Sequence, residues 1–401
     1  MVPKLRFKEF CGEWDEKTIG DIAEIYKGNV LSKSDLRDEG HPCILYGELY
    51  TKYGEIIEKV YSKTNRADKN LFIGKINDVL IPSSGETAID ISTASCLKCD
   101  NVYIGGDLNV IRCNNVNGSF LSYTLNHKQR NSIAKFAQGV SVVHLYGDSL
   151  RKLKINIPSL PEQTKIAHFL CTVDDKIQNQ QDKITHLENI KKGFMQKIFS
   201  RKIRFKNNGG EEFPEWEEKK LGDIADIYDG THQTPNYVSS GIPFVSVENI
   251  KDLYKTEKYI ELDAFKREFK IYPQKNDILM TRIGDIGTPC IVEKNDKIAY
   301  YVSLALIKIH KNNKVISNFL LQYIKNSKFQ SELWKRTLHI AFPKKINKCE
   351  ISKCLIYLPC MKEQQKIADF LSSFDEKISI EKETLEYLKQ LKKGLLQRMF
   401  V

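Results

Sequence analysis

Pro158-Ser-Leu-Pro-Glu162-Gln163-Thr-Lys165-Ile166-Ala167-His-Phe169-Leu170 decides the architecture, because the chain says it twice. It returns as Pro359-Cys-Met-Lys-Glu363-Gln364-Gln-Lys366-Ile367-Ala368-Asp-Phe370-Leu371. Further along, Asp174-Asp-Lys176-Ile177 pairs with Asp375-Glu-Lys377-Ile378, and Lys191-Lys192-Gly193 with Lys392-Lys393-Gly394. Solenoid units run to roughly 20–50 residues, and this period is several times longer. The chain is therefore a tandem duplication of a domain plus a helix.

The helices carry heptad periodicity. The first a/d ladder is Ile166, Leu170, Val173, Ile177, Gln180, Ile184, Leu187, Lys191, Phe194, Ile198, polar only at Gln180 and Lys191. The second is Ile367, Leu371, Phe374, Ile378, Glu381, Leu385, Leu388, Lys392, Leu395, Met399, polar at the matching places, Glu381 and Lys392. Such polar breaks suit a coiled coil whose register must be fixed. Residues 162–199 would span about 57 Å as one helix. A helix that long needs a partner, and the other copy is the obvious one. Gly193 and Gly394 cost roughly 1 kcal/mol each against Ala within a helix. A close helix crossing, a docking partner or tolerance near a helix end would each explain them.

Outward from the helices, each half opens alike. Glu13-Trp14 and Lys17-Thr-Ile-Gly20-Asp21-Ile22-Ala23-Glu-Ile25-Tyr26-Lys-Gly28 match Glu215-Trp216 and Lys219-Lys-Leu-Gly222-Asp223-Ile224-Ala225-Asp-Ile227-Tyr228-Asp-Gly230. The phrase suits a helical turn or a strand closing on the glycine. Lys75-Ile-Asn77-Asp78-Val79-Leu80-Ile81 and Lys275-Asn276-Asp277-Ile278-Leu279-Met280 then place an Asn-Asp turn before an apolar strand. Short strands are predicted at Val79–Ile81, Val102–Ile104, Val110–Ile111, Ile278–Met280 and Leu304–Ile309, with helices at Phe120–Asn126 and Phe319–Lys325. Each globular part is thus α+β with a β-rich centre. The boundaries fall at 1–157 and 201–358 for the domains, and at 158–200 and 359–401 for the helices.

Composition narrows the function. Sixty-two basic against 51 acidic side chains leave a net charge of +11, which favours a polyanionic partner or reflects a lysine-rich proteome. Apolar and charged fractions of 41% and 28% describe a globular protein. No apolar run approaches the roughly 18 residues of a membrane span, and the N-terminus lacks a signal-peptide core, so a cytoplasmic location is predicted. The ten cysteines are then expected to be reduced. Cys96-Leu-Lys-Cys99 has metal-ligand spacing, but no second clustered pair accompanies it, so no metal site is assigned. No Asn/Asp-Pro-Pro-aromatic segment and no GxxxxGK[ST] loop occurs, so neither base methylation nor ATP hydrolysis is expected of this chain.

The domain–helix–domain–helix order resembles the specificity subunit of type I restriction-modification systems. Leu160-Pro161-Glu162-Gln163 with Ile166-Ala167, Glu363-Gln364 with Ile367-Ala368, and Asp277-Ile-Leu279-Met-Thr-Arg282-Ile-Gly284-Asp-Ile-Gly287 carry the resemblance. It implies two target recognition domains and a spacer of two helices pairing as an antiparallel coiled coil. It also implies double-stranded DNA, two modification subunits and motor-nuclease restriction subunits as partners. S-adenosylmethionine, ATP and Mg would belong to those partners, none to this chain. Residues 29–74 and 231–274 match poorly, so two different half-sites of an asymmetric target are expected. The repeats also differ at the Gly139-containing Gln-Gly-Val-Ser phrase, replaced by His339-Ile-Ala-Phe-Pro343-Lys344-Lys345-Ile346. Arg282 has only Ser83 or Ser84 opposite it.

Base reading favours Arg, Asn and Gln, and phosphate anchoring favours Lys and Arg. The candidate DNA contacts are Lys63, Asn65 and Arg66 in the first domain, and His232, Gln233, Arg282, Lys344 and Lys345 in the second. The helix pair is assigned to Ile166, Leu170, Val173, Ile177, Ile184, Leu187, Ile367, Leu371, Phe374, Ile378, Leu385 and Leu388. The basic run Arg201-Lys-Ile-Arg204-Phe-Lys206 suits either a phosphate-facing surface or a soluble linker. Two other classes compete: an enzyme with degenerate methyltransferase or nuclease motifs, and a coiled-coil adaptor that binds protein.

Overall fold

The computed structural model describes residues 1–401 except Lys69, Val140 and Asn313. The chain forms two compact units, and each takes part of both helices. Met1–Gln181 joins Glu383–Val401 in the first, and Asp182–Lys382 forms the second.

In the first unit, Asp15–Thr18 pairs antiparallel with Lys154–Ile157, so the chain enters and leaves the domain side by side. The opening phrase is a helical turn and a strand in succession. Ile19–Ile22 is helical, with Asp21 accepting from the Thr18 N–H at 2.8 Å, and Ala23–Lys27 is extended. The strand stops at Gly28, where any Cβ would lie 2.1 Å from the Gly105 carbonyl oxygen. Gly230 meets the Tyr300 carbonyl in the same way, at 2.3 Å. Only glycine allows so close a backbone approach.

The central sheet runs Ala23–Lys27, Leu108–Cys113, Asp78–Pro82, Ser95–Leu97, Ile56–Ile57. A second sheet runs Leu36–Arg37, Lys63–Thr64, His41–Ile44, Val102–Ile104, Phe72–Gly74. The helix Gly118–Thr124 buries Phe120, Leu121 and Tyr123 against the first sheet's core.

The second unit repeats the frame. Glu217–Lys220 pairs with Leu355–Leu358, and Ala225–Asp229, Leu304–Ile309, Ile278–Ile283 and Asp285–Ile291 form its central sheet. Its second sheet shrinks to Tyr259–Ile260, Ile242–Val245 and Ala299–Tyr300. The helix Leu262–Glu268 covers that sheet instead, because Phe265 and Phe269 fall on one helical face and reach the same apolar cluster as Tyr300. The poorly matched stretches of sequence are thus the parts where the two domains differ in structure.

The repeated Glu-Gln fastens each long helix, Leu160–Phe199 and Met361–Met399, to its domain. Gln163 donates to the Pro158 carbonyl at 2.8 Å and accepts from the Asn117 N–H at 3.0 Å. Gln364 donates to the Pro359 carbonyl at 2.9 Å and accepts from the Ile316 N–H at 2.9 Å. Glu162 receives a two-pronged bond from Arg6, both at 2.7 Å. Glu363 receives Arg204 at 3.0 and 3.3 Å, plus the Trp216 indole at 3.0 Å. The run Arg201–Lys206 is therefore neither a phosphate surface nor a bare linker at Arg204. Lys4-Leu-Arg6-Phe-Lys8 is its counterpart in the first repeat.

Within each unit the helices pair antiparallel. In the second, Lys183 meets Glu381 at 2.6 Å, Glu188 meets Lys382 at 2.7 Å, and Phe194 lies between Phe370 and Phe374. Lys191, one of the polar breaks, bonds Asp375 at 2.6 Å, and Gln322 donates to the same carboxylate. In the first unit Lys392 bonds Asp174 at 2.7 Å and Glu55 at 3.1 Å, while Tyr123 donates to Asp174. Burial opposes charge on Lys392, but its two carboxylates outweigh it and hold the pKa above the ordinary lysine value. Burial prevails at Lys191, which has one carboxylate, and its pKa is lowered.

Ile166, Leu170, Val173, Ile184, Ile367, Leu371, Ile378 and Leu385 are buried, and Ile177, Leu187, Phe374 and Leu388 half-buried. Ile166 and Leu170 belong to one cluster with Trp14, Phe120 and Met399, and Ile367 and Leu371 to another with Trp216 and Phe319. These four, assigned from sequence to the helix pair, are equally part of the domain cores. The first helical turns lie directly on the domain that precedes them. A Cβ on Gly193 or Gly394 would meet nothing within 4 Å, so neither marks a close helix crossing among the described residues.

Candidate nucleic-acid interface

The second domain gathers polar candidates at one end of its central sheet, where Ala225–Asp229 ends and Ile278–Ile283 turns back. Arg282 organises that end from inside. It is only 5% exposed, its guanidinium pairs with Asp229, and its Nε donates to the Ile346 carbonyl at 3.0 Å. The Ile346 N–H returns a bond to the Arg282 carbonyl at 3.0 Å. Arg282 was expected to touch DNA. Its Nε and Nη1 are instead bonded within the domain, because its place in the strand turns the side chain inward toward a carboxylate.

What Arg282 supports is a hairpin. Leu338 N–H donates to the Lys345 carbonyl, and Gly284 N–H to the Lys344 carbonyl, both at 2.8 Å. Lys344 and Lys345 are exposed at its end, and the Lys344 ammonium lies 4.6 Å from the Trp334 ring centre. His232 and Gln233 are exposed on the segment after Gly230. That segment is held by Thr231 N–H to the Tyr300 carbonyl at 3.1 Å and Val302 N–H to the Thr231 carbonyl at 3.0 Å. Tyr300 donates its hydroxyl to the Asp229 carbonyl at 3.1 Å. Asp229 thus links both segments, and four of the five candidates in this domain share one edge.

The first domain is built differently at the equivalent place. Ser83, opposite Arg282 in the repeat, is buried, and its backbone receives the Leu145 N–H at 2.9 Å. Asn109 secures the Leu145 carbonyl at 3.0 Å. The Gln138–His144 hairpin replaces Leu338–Lys345, with Val140 of the Gln-Gly-Val-Ser phrase outside the described residues. Lys63 and Asn65 are exposed on and beside the second sheet. Arg66 is half-buried: it donates to the Val30 carbonyl at 2.9 Å and approaches Asp35 at 3.3 Å. It therefore braces the segment leaving Gly28, with Lys63 and Asn65 beside it.

Sequence reading missed Ile340 and Phe342. A detectable signal was present: two large apolar residues inside a turn-rich, lysine-flanked segment where polar residues are the norm. Cys96 is buried, and burial pushes its thiol up to about 11. Among the described residues no group of three or more His, Cys, Asp or Glu is placed to hold a metal, and no helix is long and apolar enough to cross a membrane.

Known proteins share this arrangement. Residues 12–189 and 214–390 each match the type I restriction modification DNA specificity domain. The chain is 25% identical to the type I restriction enzyme MjaVIII specificity subunit of Methanocaldococcus jannaschii, over 97% of this chain and 94% of that one. It is 21% identical to the StySPI specificity subunit of Salmonella potsdam, over 88% and 80%. The fold is similar to the crystal structure of a type I restriction-modification S subunit from M. genitalium. The TM-score is 0.67 and identity 17%, over 100% of this chain and 99% of that one. Two domain matches, one in each repeat and together spanning most of the sequence, establish that this chain belongs to the type I restriction modification DNA specificity family.

Proposed function

We propose that this chain is the DNA-reading subunit of a type I restriction-modification complex. Its two recognition domains read the two different halves of an asymmetric bipartite target. The helix pair sets the gap between half-sites and docks two modification subunits, and restriction subunits complete the assembly. The chain itself is non-catalytic. Adenine methylation with S-adenosylmethionine, and ATP- and Mg-dependent restriction, belong to its partners.

One observation carries the reading. The frame repeats its main ion pairs, Arg6–Glu162 with Arg204–Glu363 and Lys392–Asp174 with Lys191–Asp375, while the outer sheets and the hairpins differ. Equal frames with unequal polar edges suit two readers of different sequences. Base identity is read from edges of that kind, and exposed lysines anchor the phosphates.

The test is methylome sequencing of cells expressing this chain with a compatible modification subunit, against cells lacking it. The expected result is a new motif of two short blocks around a fixed gap, with N6-methyladenine in each. No new motif despite confirmed assembly refutes the reading. Inserting one heptad into residues 177–190 should lengthen or abolish the recognised gap, and an unchanged target would sink the spacer role.

A further inference from the structure

Ile340 is 99% exposed, and Phe342 is fully exposed. Neither lies at a frayed end. Both cap a hairpin whose stem is fixed by the Leu338–Lys345 and Gly284–Lys344 bonds and by Arg282 beneath it. The stem thus prevents the apolar tip from folding back onto the domain. Trp334 and Leu338 are also exposed, so the tip continues an apolar strip. Lys344 and Lys345 are exposed beside the tip, whereas Lys335 and Arg336 pair with Glu332, Arg336 also with Glu350, and Lys348 lies 4.0 Å from Asp229. A lysine-flanked apolar projection at the edge already assigned to DNA matches a polyanion with a stacked, apolar interior.

We propose that the Leu338–Lys345 hairpin drives Phe342 and Ile340 between neighbouring base pairs of the half-site read by the second domain. Lys344 and Lys345 would hold the flanking phosphates. Apolar side chains inserted at a base step unstack it and kink the duplex. The cost of that kink depends on the step deformed, so the wedge would select a flexible step without any base-edge hydrogen bond. The equivalent Gln138–His144 hairpin, among its described residues, exposes only the smaller Val142 as an apolar side chain and carries no Phe or Trp, so an aromatic wedge would enter one half-site only. This inference rests on the DNA-reading function proposed above.

The test uses the full chain assembled with modification subunits, on duplexes carrying the target found by methylome sequencing. 2-Aminopurine is placed in turn at each step of the second half-site except the methylated adenine, which the modification subunit itself must flip out. A fluorescence rise at one step is expected with the natural chain and with Phe342→Trp. Phe342→Ala should abolish it and weaken binding about tenfold, in the range of a lost base–aromatic stack. Lys344→Ala should reduce the salt dependence of binding by close to one counterion, about 0.9 in log–log slope, and leave the fluorescence rise in place. An unchanged thermal midpoint for Phe342→Ala would show that the fold is intact, as expected for an exposed site.

A rise that persists in Phe342→Ala overturns the wedge, as does specific binding with no rise at any step. Loss of modification subunits from Phe342→Ala, with DNA binding by the chain unaltered, would overturn it in favour of a protein-docking hairpin. Absence of any sequence preference in the natural complex would remove the DNA-reading function itself.

Discussion

Replacing Glu363 by alanine tests whether the repeated Glu-Gln phrase fastens helix to domain. Glu363 is 0% exposed and Arg204 13%, and the carboxylate also accepts the Trp216 indole N–H. Removing one partner of a buried ion pair costs about 3–5 kcal/mol. Arg204 would keep the Phe213 and Pro214 carbonyls and the exposed Glu215, which places its share at the lower end. The stranded Trp216 N–H adds part of the roughly 1–3 kcal/mol of an unsatisfied buried donor. About 4 kcal/mol in all is expected. In a unit the size of Asp182–Lys382, at about 2–4 °C per kcal/mol, the thermal midpoint should fall by roughly 8–16 °C.

Differential scanning calorimetry of the full chain, with urea titration in parallel, reads this directly. Glu363→Gln keeps an acceptor for Trp216 and should lose about half as much. A cycle with Arg204→Ala should show coupling above about 1 kcal/mol. A fall below about 2 °C for Glu363→Ala would refute the reasoning, since it would mean the pair contributes almost nothing. Equal falls for the alanine and glutamine variants would refute the share given to Trp216.

Other consequences are open to the same instruments. Burial pushes the Asp375 pKa up, but bonds from Lys191 and Gln322 and the charge of Lys325 reverse this, leaving it below its ordinary 3.8. A depressed carboxylate stabilises the fold above its ordinary pKa, and that contribution is lost as pH falls through the lower folded value. Asp375→Asn should therefore lower the midpoint at pH 6, with the gap to the natural chain closing toward pH 3; a gap independent of pH would contradict the assignment. Gly193→Ala and Gly394→Ala have room for the added methyl group and should each stabilise the isolated chain by about 1 kcal/mol. A lower midpoint would show that the space is not open, while normal stability gain with weaker modification-subunit assembly would assign the glycines to docking.

Particular residues show how far the sequence reaches. The polar breaks at Lys191 and Lys392 announce a register device, and the structure supplies Asp375 and Asp174 as their partners. The opening phrase was legible as helical turn or strand, and it is both, because Asp21 caps a turn that the alternating residues after it cannot continue. Arg282 was legible as a special residue and misjudged as an exposed one. An arginine in a strand gives no sign in sequence of the carboxylate it will meet, and Asp229 lies far from it along the chain.

The sequence by itself determined the duplication, the two long helices and the β-rich domains between them, since these follow from repetition and local periodicity. It also determined that the two domains differ from one another, because residues 29–74 and 231–274 do not match. Only the tertiary structure decided which polar residues face solvent and which are spent holding the domain together. It alone placed Phe342 at the tip of a braced hairpin, and it alone showed Ile166 and Ile367 serving domain core as well as helix pair. Exposure and pairing depend on contacts between residues distant in sequence, and periodicity does not record them.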